Sequence, residues 1–326
     1  MGWADIGWML VKIIVIFAVL LLTMAYLTLV ERRVVAWFQW RLGPNRVGPL
    51  GLIQPIADGV KLLFKQEIVP SAADITTYFL APAISLIAAF AVIAVIPISP
   101  NFYIADVNVA LLLVLALSSM GIYGVILAGW SSGSKYPFLG ALRACAQMIS
   151  YELSLAFAGV GVVILAGSFS LREIVVAQGS LWFVVPQILG FIVFLIAGFA
   201  EANRAPFDMP ECESELVAGY HTEYSSMKFA MFFLGEYVAV INVAMLATVL
   251  FLGGWQGPAL FGAQLAWLSG LLWFLIKVGA IIFLFLWVRA TLPRFRYDQL
   301  MRFGWMVLLP LALLNIIITA ALKAFM

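Results

Sequence analysis

The stretch WMLVKIIVIFAVLLLTMAYLTLV, residues 8–30, decides how this chain must fold. Its sole charged residue is Lys12. A helix needs about 20 apolar residues to cross the hydrocarbon core of a bilayer, and this run is long enough. It exceeds the apolar region of a secretory signal, and it ends in Glu31-Arg32-Arg33 instead of a small-residue cleavage site. The run therefore reads as a first membrane helix that stays on the protein.

The rest of the sequence has the same character. Of 326 residues, 65% are hydrophobic and 10% charged. A soluble domain carries roughly 25% charged residues, and even a large one leaves about a quarter of its chain's surface in water. Lipid must be the solvent. Eight runs qualify as spans, at 9–30, 75–97, 109–130, 150–168, 181–200, 229–252, 266–288 and 303–322. They are continuous rather than alternating, so the expected fold is all-α and polytopic, a single membrane domain over 1–326. No internal repeat is visible, which argues against an inverted-repeat transporter.

Charge sets the expected orientation, because basic loops stay on the inner side of a membrane. The inner loops 31–74, 131–149, 201–228 and 289–302 hold six, two, two and four of the eighteen Lys and Arg. Both termini are then expected on the outer side. Within the first loop, Gln54, Asp58, Lys61 and Lys65 recur at helical spacing, with Leu52, Ile53, Ile56, Val60, Leu63 and Phe64 around them. This is the pattern of an amphipathic helix in the interface or against a partner, with Pro55 in its first turn. A buried re-entrant helix is the alternative.

Six of the sixteen acidic residues crowd into EANRAPFDMPECESELVAGYHTEY, residues 201–224. Asp208 reads as a helix N-cap, Glu211 three residues later closes a capping box, and Pro210 sits in the first turn. Glu213 and Glu215 favour the positive end of the same helix. Helix-end chemistry leaves Glu201, Glu236 and Glu152 unexplained. Carboxylates inside membrane helices are costly and by default mark ion paths or buried pairs. A connected row of them can pass protons or respond to charge arriving nearby, with Lys277 as a counter-charge or as half of a buried ion pair. Two cysteines, Cys145 and Cys212, give no disulfide framework. The single histidine, His221, and the lack of a Glu-x-x-His pair argue against a metal site. The net charge of +2 argues neither for nor against a nucleic-acid partner, and none is expected.

Four stretches carry a resemblance: ERRVVAWFQWRLGPNRVGPLGLIQPIADGVKLLFKQ (31–66), GALRACAQMISYELSL (140–155), EANRAPFDMPECESELVAGYHTEYSSMKFAMFFLGEY (201–237) and RATLPRFRYDQLM (289–301). In order and over nearly the whole length, they resemble the family of the H subunit, membrane subunit 1, of proton-pumping NADH–quinone oxidoreductase (respiratory complex I). His221 stands where the family more often has Asn. The resemblance implies a subunit of the bacterial cytoplasmic or mitochondrial inner membrane that joins the redox arm to the membrane arm. It implies quinone as substrate, with flavin and iron–sulfur clusters only in partner subunits. The expected partners are hydrophilic quinone-reducing and iron–sulfur subunits on the inner side, other membrane subunits, and lipid. By the same resemblance, Glu31, Arg32, Asp58, Lys61, Arg204, Arg289 and Arg294 line the quinone chamber. Glu152, Glu201, Asp208, Glu211, Glu213, Glu215 and Glu236 belong to an acidic path from it; Lys277 joins that path from its place in the seventh run. The alternatives are the anchor of a related membrane-bound hydrogenase, a stand-alone ion transporter, and a purely structural anchor.

Overall fold

A computed structural model of the protein describes residues 3–100, 102–209, 216–258 and 266–325. Among the described residues the secondary structure is helical, apart from an isolated bridge between Ser99 and Phe102. The helices are α1 (Trp3–Phe38), α2 (Gln54–Phe64), α3 (Ile75–Ile93), α4 (Ala110–Ser131), α5 (Lys135–Ala166), α6 (Leu171–Ala177), α7 (Ile188–Glu201), α8 (Ser226–Phe251), α9 (Ala266–Thr291) and α10 (Tyr297–Phe325). Seven of them are long and apolar enough to cross a membrane, and α7 is a shorter apolar helix of 14 residues. The chain is thus an all-α polytopic membrane protein.

Three boundaries differ from those read off the sequence, each for a local reason. Helix α1 continues to Phe38, so Glu31, Arg32 and Arg33 sit on its last turns rather than in a loop. Helix α5 starts at Lys135, and most of 131–149 is helical. Only Ser132 to Ser134 separate α4 from α5, with Gly133 at φ +63° turning the chain. The run 181–200 is helical from Ile188 only. Proline lacks a backbone N–H and disfavours helical geometry in the residue before it, and Pro186 stands six residues into that run. The non-helical backbone is served from inside the protein. The Gln178 carbonyl oxygen accepts the Phe183 and Gly253 N–H groups at 3.2 and 2.9 Å, while its amide donates to the carbonyls of Ile174 and Val249. Irregular backbone at membrane depth requires such internal partners.

Packing follows the rule for helices in lipid, where close approach replaces the hydrophobic effect between helices. A Cβ on Gly124 of α4 would come within 2.8 Å of Ser85 on α3, so glycine is what lets these two helices touch. Helix α8 is central, with 67% of its apolar window buried against 22% for α1. Helix α10 is fastened by a buried polar knot. The Asn315 amide donates to Gln187 Oε1 at 2.7 Å, Gln187 donates to the Thr319 hydroxyl, and that hydroxyl donates to the Asn315 carbonyl. A wider π turn at Gly304–Leu308 precedes Pro310, whose ring cannot fit a regular helical turn.

Candidate functional site

Two groups of polar side chains converge inside this apolar frame. The first lies on the face that carries α2 and gathers around Glu31 of α1, which is only 6% exposed. Its carboxylate pairs with Arg289 at the end of α9 and lies 3.6 Å from Arg204, just beyond α7. The Tyr237 hydroxyl, from α8, donates to Glu31 Oε2 at 2.7 Å, and the Arg204 guanidinium lies 4.2 Å from the centre of the Tyr237 ring. One buried carboxylate thus holds two guanidinium groups from different parts of the chain. Beside them lies a tight crevice of about 10 Å³, whose other walls are Leu27, Val240, Ile282, Phe285 and Leu286. Two cations and a carboxylate thus border a packed apolar wall, with no room for a ligand in this arrangement of the side chains.

The neighbouring contacts are looser. Arg32 donates to Asp58 Oδ2 at 2.7 Å, and Gln54 donates to Oδ1 of the same carboxylate at 2.9 Å, which fixes α2 against the end of α1. Both partners of the Arg32–Asp58 pair are partly exposed, and such pairs contribute about 1 kcal/mol or less. Lys61 is exposed, as are Ile56, Leu63 and Phe64 of α2. Arg294 donates to the buried Asp208 at 2.9 Å, so Asp208 is held by the chain that follows α9.

The second group surrounds a cavity of about 90 Å³ between α3, α4, α5, α7 and α8. Its walls include Ala88, Val92, Val114, Leu155 and Leu246, but Glu201 and Glu236 both face it, with Ser118, Asn203, Tyr220 and Asn242. The Tyr220 hydroxyl donates to Glu236 Oε1 at 3.3 Å. Glu152 of α5 is joined to the group through α4, accepting from Ser118 at 3.3 Å and from Ser119. Ser118 is also within hydrogen-bonding reach of Glu201. A hydroxyl has a single proton to donate, and the Leu115 carbonyl 2.9 Å from Ser118 also competes for it, so Ser118 serves one of three acceptors at a time. Two carboxylates, Glu201 and Glu236, therefore line one cavity, and Glu152 on a third helix is connected to it through the Ser118 hydroxyl.

Of the acids expected to form a row, Glu201 and Glu236 face the cavity and Glu152 lies behind Ser118 and Ser119. Asp208 lies apart from the cavity, with Arg294. Glu211, Glu213 and Glu215, and with them the capping box from Asp208, fall outside the described residues. Lys277 stands away from the acids. Its ammonium donates to the carbonyls of Leu252, Gly254 and Gln256 at 2.6, 3.1 and 2.5 Å, and it lies 4.2 Å from the centre of the Trp182 ring. It caps the far end of α8, where the helix dipole is negative. Sequence reasoning missed Ser118, Ser119, Asn203, Tyr220, Tyr237 and Asn242. The signal for three of them was present: Ser118-Ser119 and Asn242 are polar residues in the middle of otherwise apolar spans.

His221 lies beside Tyr220 in the segment between α7 and α8, its ring edge-on to Tyr220 and Phe229. Burial pushes the imidazole down from 6.5 to about 4, so the ring is neutral near pH 7. The unfolded chain then binds a proton below about pH 6.5 that the folded chain refuses until about pH 4. Stability contributed by this residue falls across that window as the pH falls, by roughly 3 kcal/mol. His221→Asn is expected to flatten this acid limb. Comparing hydrogen–deuterium exchange of residues 219–229 in parent and variant at matched pH between 7 and 4.5 checks it; parallel pH dependence in the two would contradict it.

A family model described as NADH dehydrogenase matches residues 11–320. The chain is 50% identical over 317 residues to the H subunit of NADH-quinone oxidoreductase from Paramagnetospirillum magneticum, covering 96% of this chain and 92% of that relative. It is 52% identical over 324 residues to an H subunit of NADH-quinone oxidoreductase from Geobacter metallireducens, covering 97% and 96%. Against NADH-ubiquinone oxidoreductase chain 1 of Chondrus crispus the identity is 51% over 306 residues, covering 94% and 93%.

Proposed function

The chain belongs to the NADH dehydrogenase family, as do its H-subunit relatives in NADH-quinone oxidoreductases, and from this premise we propose that it couples quinone reduction to proton translocation. It would do so as a multi-pass subunit of the respiratory inner membrane, with its basic loops on the inner side and both termini outside. The observation that carries the reading is the cavity at which Glu201 and Glu236 meet, with Glu152 attached through Ser118.

The chain's own residues have two tasks in this reading. Around Glu31, Arg204 and Arg289 supply positive charge where the quinone head gains electrons, and Leu27, Val240 and Phe285 present an apolar border beside them. Arg32, Asp58 and Lys61 border that region from α2, and Arg294 borders it beside Asp208. Electrons come from flavin and iron–sulfur clusters in hydrophilic partner subunits that dock on the inner loops. As the quinone head gains negative charge, Arg204 and Arg289 divide their attraction between it and Glu31. The field along the neighbouring carboxylates changes in step. Glu201, Glu236 and Glu152 then take up or release protons, and the hydroxyls of Ser118, Ser119 and Tyr220 reorient between them. Asp208, Glu211, Glu213 and Glu215 would connect the two regions, and other membrane subunits would carry the protons across. The named relatives favour this over the hydrogenase-anchor and stand-alone transporter readings.

The test is the number of protons translocated per electron in the assembled complex. Glu152→Gln keeps the side chain's size and its hydrogen bonds from Ser118 and Ser119 but removes its exchangeable charge. Quinone reduction is expected to persist while the proton-to-electron ratio falls several-fold. An unchanged ratio would take Glu152 out of the path.

A further inference from the structure

We propose that the chain leaving α2, residues 62–68, and the chain opening α8, residues 223–228, form a polar tether with Lys228 at its hub. This tether holds α2 in register with the acid-bearing segment that precedes α8. The inference rests on the coupling reading above and adds the part that links its two regions.

Lys228 is a cation in a place where cations are expensive. It is only 5% exposed, and its ammonium lies 2.9 Å from Glu67 Oε1, just beyond α2. The same ammonium sits 3.4 Å from the centre of the Phe79 ring and 4.5 Å from that of Tyr78, both on α3. A carboxylate and two aromatic faces together offset the loss of water around a buried ammonium. The backbones are tied as well. Residues 65–70 lie outside any helix or sheet, so their backbone groups need partners elsewhere. The Ile68 N–H donates to the Ser225 hydroxyl at 3.1 Å, and the Ser226 hydroxyl donates to the Leu62 carbonyl at 3.0 Å. Ser226 itself adopts a left-handed backbone with φ 57°, which a β-carbon disfavours and which this contact accompanies.

Helix α3 supplies the floor. The Tyr78 hydroxyl donates to the Glu223 carbonyl at 2.7 Å, and its ring stacks on Tyr224 with centres 4.2 Å apart. In return, the Tyr224 hydroxyl donates to the Tyr78 carbonyl at 3.3 Å. That carbonyl would ordinarily bond the N–H four residues on, but residue 82 is proline and has none. The contact therefore serves an acceptor that α3 itself cannot serve, and it fixes 223–224 on a rigid helix.

The consequence is mechanical. Helix α2 is anchored beside Glu31 through Arg32 and Asp58, at its other end through Leu62, and just past that end through Glu67 and Ile68. A short helix held this way moves as a rod. Any displacement of α2 on quinone binding is delivered to 223–228, next in sequence to the acidic stretch and at the start of the helix that carries Glu236.

Glu67→Gln combined with Ser225→Ala loosens the tether, the glutamine leaving an uncharged oxygen to face the buried Lys228 ammonium. In the intact complex, the double variant is expected to keep parental NADH–quinone reductase activity while protons translocated per electron fall about fivefold, the low end of a site-to-site coupling. Lys228→Met is a second variant with the same expected direction. A tether that merely braces the fold would lower the amount of assembled complex and leave the ratio per assembled complex at the parental value, which would overturn the inference. The Glu201→Gln/Glu236→Gln pair separates the two levels. If that pair loses pumping and the tether variants do not, only the tether falls; if that pair pumps normally, the coupling reading falls with it.

Discussion

Glu31→Ala is expected to remove most of the subunit from the assembled complex. The carboxylate is buried and shared by Arg204 and Arg289, and it accepts the Tyr237 hydroxyl. Deleting it leaves two guanidinium groups facing each other across a low-dielectric crevice, with a phenol that has lost its acceptor. Breaking a buried pair from one side costs about 3–5 kcal/mol, a large share of the roughly 5–15 kcal/mol by which a typical protein is stable. Glu31→Gln keeps the shape and the acceptor for Tyr237 but not the charge, so an intermediate loss is expected. Asp58→Ala is the internal comparison. It opens the half-exposed pair to Arg32 and is expected to cost about 1 kcal/mol or less. Quantifying the subunit in membranes and in the purified complex gives the ranking Glu31→Ala, Glu31→Gln, Asp58→Ala. Parental amounts of complex with Glu31→Ala would show that the two arginines find other partners.

The spans were legible because lipid leaves the chain few choices. A run such as 8–30 must satisfy its backbone internally, and a helix does so without reference to the rest of the molecule. Where the structure departs from the apolar runs, a polar or cyclic residue decides. Pro186 delays α7 to Ile188, and Gln178 makes the preceding backbone tolerable by serving four partners. Helix α5 begins within the polar stretch at Lys135, because hydropathy marks what lipid covers and not how far a helix runs. The site was legible in part for the same reason. Intramembrane Glu152 and Glu236 announce themselves against their surroundings, as Ser118-Ser119 and Asn242 do on the same criterion. What spacing cannot give is who meets whom across the fold. Nothing in the sequence near Arg204 names Glu31 as its partner, and nothing near Lys277 says that the end of α8 will offer three carbonyls. Those pairings depend on how the helices are arranged around α8, which is set by close approaches such as that at Gly124 and by the polar knot at Gln187.

The largest functional effect is expected from Glu201→Gln combined with Glu236→Gln. Both side chains face the cavity between α3, α4, α5, α7 and α8, on helices that approach it from different sides. The amide matches the carboxyl in volume, so packing around Ala88, Val92 and Leu246 is conserved. Tyr220 still has an oxygen at position 236 to donate to. What disappears is the capacity to hold and release a proton at two of the three linked positions, leaving Glu152 alone beyond Ser118. A hydroxyl cannot carry protons onward without a neighbour that exchanges them. The complex should therefore assemble and reduce quinone while protons translocated per electron drop at least about tenfold, as for loss of a positioned proton-transfer group. Thr23→Val, on an exposed face of α1 where the hydroxyl merely bonds the Val19 carbonyl, should leave that ratio at the parental value. Reconstituted vesicles with a pH-sensitive dye, normalised to NADH consumed, read both. If the double carboxamide variant pumps at the parental ratio, the cavity lies off the proton path, and the carboxylates serve only to hold α4, α5, α7 and α8 together.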